Sequence, residues 1–382
     1  MQSLAPELVG AICEQLDRPS LLCVARASLP LQHASERLLY REITFLSGPF
    51  ASGRNGLRQG ICLRSIAANQ RRASSVAFII LGKVQPRDEA NTELTQTFKQ
   101  AMRMMVNLKK LVIHGIAYIR HAQLDSAPFA LTHLYINPLQ YSVEDDDASH
   151  LDKMLLRILE AQDGITELSL ICWPKIPSVW RAVEGSGTTC SKTISPRLEK
   201  LRADETTIRL FLPGRRLTGV EFSRTKVTPG AQWVSDPLIF AYKDLQHLVI
   251  CVEHAMAENT LVEMASHLIG LTHLNMMQSS HFYPDRSNVG YYTPDPTVSA
   301  VVTIKMLRSI TLSASRGWCT SLLETHYMAR YIFKQVPGLE ELLVQSGADD
   351  GSWYLHYGSP KGKWIGTVDS DIALKAYSTW TF

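Results

Sequence analysis

One short apolar phrase, Leu-x-x-Leu-x-Ile, recurs along most of this chain, and a chain that repeats so short a phrase has few ways to bury it. The clearest copies are Leu108, Leu111 and Ile113; Leu131, Leu134 and Ile136; Ile165, Leu168 and Leu170; and Leu245, Leu248 and Ile250. Looser copies are Leu198 with Leu201; Leu217 with Val220 and Phe222; Leu271 with Leu274 and Met276; Leu307 with Ile310 and Leu312; and Leu339 with Leu342 and Val344. In each copy the last two apolar residues lie two apart, so in an extended chain both point to one face of a strand. A lone strand of this length cannot bury that face. Stacking the copies side by side forms one continuous core, as solenoids do.

Successive copies start between 19 and 36 residues apart, a range that spans and exceeds leucine-rich repeats. Such gaps leave room for a helix, and parallel strands need a crossover of this kind. The spacing therefore predicts an α/β fold: an irregular leucine-rich-repeat-like solenoid with parallel strands and intervening helices. Helical stripes fill several gaps: Leu94, Phe98, Met102 and Met105; Leu151, Leu155, Ile158 and Leu159; Leu261, Ala265, Leu268 and Ile269; and Leu322, Ala329 and Phe333, with Leu323 and Tyr327 beside them. The acidic run Glu144 to Asp147 precedes the second stripe, where carboxylates favour the positive end of a helix.

Composition narrows the function classes. With 382 residues, 45% hydrophobic and 20% charged, the chain has the make-up of an ordinary globular protein. A net charge of +3 does not call for a nucleic-acid partner, and the doublets Arg71-Arg72 and Arg215-Arg216 read as solvated surface. The sequence holds no apolar run of membrane-spanning length and no basic-then-apolar leader at its start, so a location in cytoplasm or nucleus is expected. Seven scattered cysteines, an odd number, argue against a disulfide framework and offer no zinc-ligand spacing.

The serine phrase G-x-S-x-G, the zinc phrase H-E-x-x-H and the dinucleotide phrase G-x-G-x-x-G are all absent. Gly358 to Lys363 has too few residues between its glycines for a phosphate loop. His133, His247 and His273 hold equivalent places in three repeats, a register that puts them on exposed strand positions. The expectation is a chain without catalytic residues, cofactor or metal.

Before the array stands a different pattern. Pro6 and Glu7 suit a first helical turn, and Leu8, Ile12 and Leu16 then recur every four residues. Asp17, Pro19 and Ser20 punctuate, Leu21, Leu22, Val24 and Ala25 follow, and Pro30 breaks the chain before Ala34, Leu38 and Leu39 begin a third helix.

Leu4-Ala5-Pro6-Glu7-Leu8, then Ile12 and Leu16, then Leu21 to Arg26, and the exit phrase Arg37-Leu38-Leu39-Tyr40-Arg41-Glu42-Ile43 together resemble an F-box. The chain is similar in plan to the fungal F-box proteins that carry leucine-rich-like repeats. It departs from them in two places: Ala5 separates Leu4 from Pro6, and Ala27, Ser28 and Leu29 stand where a tryptophan is common. The resemblance implies a three-helix F-box at 1–48, followed by the array over 49–382. It also implies docking on a Skp-type adaptor and, through it, on a cullin scaffold, with the array holding a protein substrate for ubiquitin transfer. Carried over by position, the adaptor-binding residues are Leu4, Pro6, Glu7, Leu8, Ile12, Leu16, Leu21 and Leu22. The competing reading is a repeat scaffold whose N-terminal helices cap the array and recruit no ligase.

Candidate substrate contacts are loop aromatics, frequent anchors in protein interfaces. They are Trp173 and Trp180 in one insertion, and Phe282, Tyr283, Tyr291 and Tyr292 in another. Trp353 to Tyr357, a Gly358 to Gly362 turn and Lys363 to Ile365 read as a β-hairpin that caps the last repeat.

Overall fold

A computed structural model describes residues 5–47, 54–83, 92–114, 124–137, 145–171, 194–212, 214–225, 239, 241–252, 256–278, 296–314, 322–346, 353–358 and 367–368. The chain divides into two compact units, Met1–Arg197 and Leu198–Phe382.

The first unit opens with three helices, α1 (Pro6–Glu14), α2 (Arg18–Val24) and α3 (Leu29–Leu39). Strands and helices then alternate: β1 (Glu42–Ser47), α4 (Arg54–Ala67), α5 (Gln70–Ser75), β2 (Phe78–Lys83), α6 (Thr92–Met104) and β3 (Lys110–Ile113). β4 (His133–Ile136), α7 (Asp145–Ala161) and β5 (Glu167–Leu170) follow. The strands pair in parallel and in chain order, so the apolar positions form two unbroken ladders. Ile43, Ile79, Leu111, Leu134 and Leu168 make one; Phe45, Leu81, Ile113, Ile136 and Leu170 make the other. A one-residue slip would turn every one of these side chains to the opposite face, so their burial holds the register.

The second unit repeats the plan with β6 (Lys200–Ala203), α8 (Glu205–Phe211), β7 (Gly219–Thr225), β8 (His247–Val252) and α9 (Met256–Ala265). Then come β9 (His273–Gln278), α10 (Pro296–Thr303), β10 (Ser309–Ala314), α11 (Leu322–Gln335) and β11 (Glu341–Ser346). Its first ladder is Leu201, Val220, Leu248, Leu274, Ile310 and Leu342, again parallel throughout. The arrangement is solenoid-like α/β, and all the apolar residues of the recurring phrase are buried.

One backbone device recurs at strand entries. The carbonyl of Lys109 accepts from the N–H groups of both Thr132 and His133, and Thr132 O does the same for Thr166 and Glu167. Thr218, Gln246, Thr272 and Arg308 repeat it in the second unit. Each entry turn thereby meets the demand that buried backbone groups find partners. Within the 23-residue step from Leu108 to Leu131, where a 3-10 turn lies at Leu124–Ser126, a side chain helps. Buried Gln162 accepts from Leu131 N and donates to the carbonyls of Leu124 and Phe129.

Several expectations are corrected in detail. Ile269 is 60% exposed because α9 ends at Ala265, beyond which helical period no longer places it. On α11 the buried stripe is Met328, Ala329 and Ile332, and Tyr327 is exposed. Pro30 lies in the first turn of α3, behind the capping residue Ser28, and so starts that helix instead of breaking the chain before it. β12 (Trp353–Gly358) runs antiparallel to β11, and its return partner is β13 (Thr367–Val368). The expected return strand, Lys363 to Ile365, lies outside the described residues.

The arginine doublets are not both solvent-facing. Arg71 and Arg72 hold a carboxylate, described below, and Arg215 is buried beneath the Phe211 ring, 5.0 Å from its centroid. Burial pulls the Arg215 guanidinium down to about 10. Only Arg216 reaches freely into solvent.

Candidate functional site

Two caps and three prolines shape the N-terminal helices. Pro6 opens α1, Asp17 accepts from Ser20 N to cap α2, and Ser28 accepts from Leu31 N to cap α3. Their shared core is Val9, Cys13 and Leu21, with Leu16, Val24, Leu31, Ala34, Leu38 and Leu39 packed on it. Cys13 Sγ lies 3.7 Å from the Oγ of fully buried Ser35.

The buried stripe of α1 is thus Val9 and Cys13, one residue round from Leu8 and Ile12, which the period singles out and the resemblance turns toward an adaptor. α1 is apolar over most of its circumference, and the period alone does not say which stripe faces inward. The consequence is an outward apolar surface. Leu8 is 55% exposed and Ile12 50%, one turn apart, with Leu22 at 54% on α2 and Leu29 at 63% at the start of α3. Burying a side chain of this size contributes about 1.5–3 kcal/mol, so four of them make a strong latent contact.

Of the residues expected to bind an adaptor, Pro6, Glu7, Leu8, Ile12 and Leu22 face solvent. Leu21 belongs to the core and Leu16 packs against it, so their role is internal. Leu4 lies outside the described residues, as do Trp173, Trp180, Phe282, Tyr283, Tyr291 and Tyr292. Leu29 joins the exposed group unforeseen; its only sequence signal is an apolar residue just behind the cap Ser28.

A second unforeseen feature ties α3 to the array. Glu36 is buried, and its Oε2 meets Arg71 Nη2 at 2.5 Å while Oε1 meets Arg72 Nη2 at 2.6 Å. Gln32 Nε2 donates to Oε1 as well, at 3.1 Å. Arg72 further donates to Ser65 Oγ on α4 and lies over the Tyr40 ring, whose hydroxyl also meets Ser65. Burial raises the Glu36 pKa, but hydrogen bonds from Arg72, Gln32 and Arg71 outweigh it and hold the carboxyl below its usual value. No local spacing signals this clamp, because its partners lie 35 and 36 residues away.

Replacing Glu36 by Gln leaves two arginines without their anion. Arg71 is 40% exposed and its share is screened, so the expected loss is about 2 kcal/mol at neutral pH. A folded-state pKa below the unfolded one gives stability that is present above the unfolded value and lost as pH falls through the folded value. The gap between wild type and Glu36→Gln in urea melts should therefore close under acid. A variant as stable as wild type at pH 7 would show the clamp to be idle.

On the strands, the side chains between the ladder positions carry polar groups. In the first unit His133 Nε2 lies 3.3 Å from Glu167 Oε2, and Tyr135 donates to the same oxygen at 2.9 Å. Lys110 Nζ stands over the rings of both Phe78 and Tyr135. In the second unit His247 and His273 stack with centroids 4.4 Å apart, and Arg202 Nε lies 2.7 Å from Glu221 Oε1. Gly219, between β6 and β8, admits the Lys200 stem: a Cβ there would lie 3.2 Å from Lys200 Cγ. The half-buried histidines correct the expectation of plainly exposed ones.

Among the described residues no group of three or more His, Cys, Asp or Glu is placed to hold a metal ion, and no helix is long and apolar enough to cross a membrane. What the arrangement offers chemically is contact: an apolar face on the first three helices and a hydrogen-bonding face on the strands. No protein-family model matches the chain, and no curated protein matches it in sequence.

Proposed function

We propose that the chain is the substrate-recognition subunit of a cullin-type ubiquitin ligase, acting in cytoplasm or nucleus. Its first three helices are an F-box that docks on a Skp-type adaptor, and its leucine-rich-like array holds the protein to be modified. The chain itself catalyses nothing and needs no cofactor. The observation that carries the reading is the outward set Leu8, Ile12, Leu22 and Leu29 on helices whose own core is already filled. Isolated exposed aliphatic residues are ordinary, but three leucines and an isoleucine on a unit of about forty residues support a role in contact. The Glu36 clamp supports the same reading, because it fastens the docking helices to the first repeat and so holds the adaptor in fixed relation to the array.

Co-expression of the full chain with a recombinant Skp-type adaptor tests it. The expected result is a complex of one copy each that survives gel filtration at micromolar concentration. Separate elution of two folded proteins would remove the ligase reading and leave a repeat scaffold.

A further inference from the structure

Charge is spread unevenly along this chain. Between positions 54 and 110 eleven Lys and Arg face three Asp and Glu, a net of +8, while the whole chain carries +3, so the remainder is at −5. Asymmetry of this size within one chain is a physical statement about partners. Two of the eleven, Arg71 and Arg72, are engaged by Glu36. Others are not.

Arg58, Ile61 and Arg64 follow one another at three-residue steps on α4, which lines them up along one side of the helix, and all three are exposed, Ile61 to 54%. On α6 Arg103 is exposed and Lys99 half-buried, and Val106 is exposed just past the helix end. The two helices pack together, and Gln100 Nε2 donates to Ala67 O at 3.2 Å. That bond sets the last turn of α4 beside the C-terminal half of α6, the part that carries Lys99 and Arg103. Arg58, Arg64 and Lys99 form no ion pair with a carboxylate among the described residues.

We propose that this α4–α6 face is a docking surface for an acidic protein segment that brings an apolar side chain against Ile61. Clustered cations repel one another and gain most from a partner that neutralises several at once. Nucleic acid would satisfy the charge but presents no aliphatic group to cover Ile61 and Val106, and this face offers no aromatic ring on which a base could stack. An anionic lipid surface calls for a wide apolar face, and among the described side chains of α4 Ile61 is the one exposed aliphatic, flanked by Arg58 and Arg64. An acidic segment with an interspersed leucine or isoleucine matches both features. This surface uses none of Leu8, Ile12, Leu22 and Leu29, and the inference stands whether or not those residues meet an adaptor.

The test uses the full chain and four probes: a fluorescent twelve-residue peptide of glutamates around a Leu-Leu pair, the same peptide with glutamine for glutamate, a twelve-nucleotide single-stranded DNA, and phosphatidylserine vesicles. The variants are Arg58→Glu with Arg64→Glu, and Ile61→Ser, each at exposed positions and checked for an unchanged circular dichroism spectrum. The acidic peptide is expected to bind at least about tenfold more tightly than the glutamine peptide, and more weakly as salt rises. The double charge reversal should cost about tenfold or more, and Ile61→Ser about threefold. Equal binding of the two peptides, or variants that bind the acidic peptide like wild type, would overturn the proposal. So would DNA or vesicles binding more tightly than the acidic peptide without regard to Ile61→Ser. Sedimentation showing a dimer that the charge reversal dissolves would assign the face to a second copy of the chain and overturn it equally.

Discussion

Leu8→Asp is expected to abolish adaptor capture while leaving the chain folded. Leu8 is more than half exposed and contributes nothing to the core formed by Val9, Cys13 and Leu21, so an aspartate there stays hydrated in the free protein. In a complex the same carboxylate would sit unpaired in an apolar contact, at a cost of several kcal/mol. About 4 kcal/mol corresponds to roughly a thousandfold in affinity, enough to carry a micromolar complex out of reach. Ile12→Asp should behave alike from one turn further along the same helix face. Cys13→Asp supplies the contrast, because it places the charge inside the three-helix core and should unfold those helices. Thermal melts and co-purification separate the two effects. A folded Leu8→Asp chain that still retains the adaptor would show that this face is not where docking occurs.

How much of this architecture a reader of the sequence could see depends on how far apart the interacting residues are. The recurring phrase is local, five or six residues long, and every apolar residue in it is buried in register with its neighbours. A further copy, Val76 with Ile79 and Leu81, departs from the leucine spelling at all but its last place and yet fills the same positions. Helix faces were legible in angle but not always in direction. α6 shows Phe98 and Met102 buried as the spacing predicts, with Met105 buried just past its end, because polar residues fill most of the rest of its circumference. α1 and α11 carry apolar residues on adjoining stripes, and there tertiary partners decide which stripe turns inward.

The candidate site was half legible for the same reason. The three helices follow from caps and periodicity, and the resemblance to an F-box points to most of their exposed residues, but Leu21 proved internal and Leu29 external. The Glu36 clamp depends on side chains distant in sequence, where neither propensity nor period carries information.

Between about pH 4.5 and 6.5 the wild-type second unit should show a stability profile flattened by opposing groups, Glu221 on one side and the burial-lowered imidazoles of His247 and, as a lesser contributor, His273 on the other, and variants of Glu221 and His247 should unmask the two sides. Glu221 is buried, and burial pushes its carboxyl up to about 7 despite the nearby Arg202 guanidinium. That guanidinium approaches to 2.7 Å, yet its Nε–H makes no hydrogen bond, so the misaligned contact does not offset the lost hydration. A raised folded-state pKa gives stability present in full below the unfolded value near 4.5 and lost as pH climbs through about 7. The span amounts to about 3 kcal/mol. His247 runs the other way. Burial, with the neighbouring His273 and Lys200 charges, pulls its imidazole down to about 4, so stability is present above the unfolded value near 6.5 and lost as pH falls toward 4. His247 keeps partial contact with solvent, and screening trims its contribution to about 1–2 kcal/mol. Glu221→Gln should therefore give a unit whose urea midpoint rises steadily from pH 4 to 6.5, and His247→Phe, which preserves the ring stack on His273, one whose midpoint falls from pH 4.5 to 7. Parallel profiles for the two variants would show that burial does not control these side chains, and that Arg202 holds Glu221 ionised throughout.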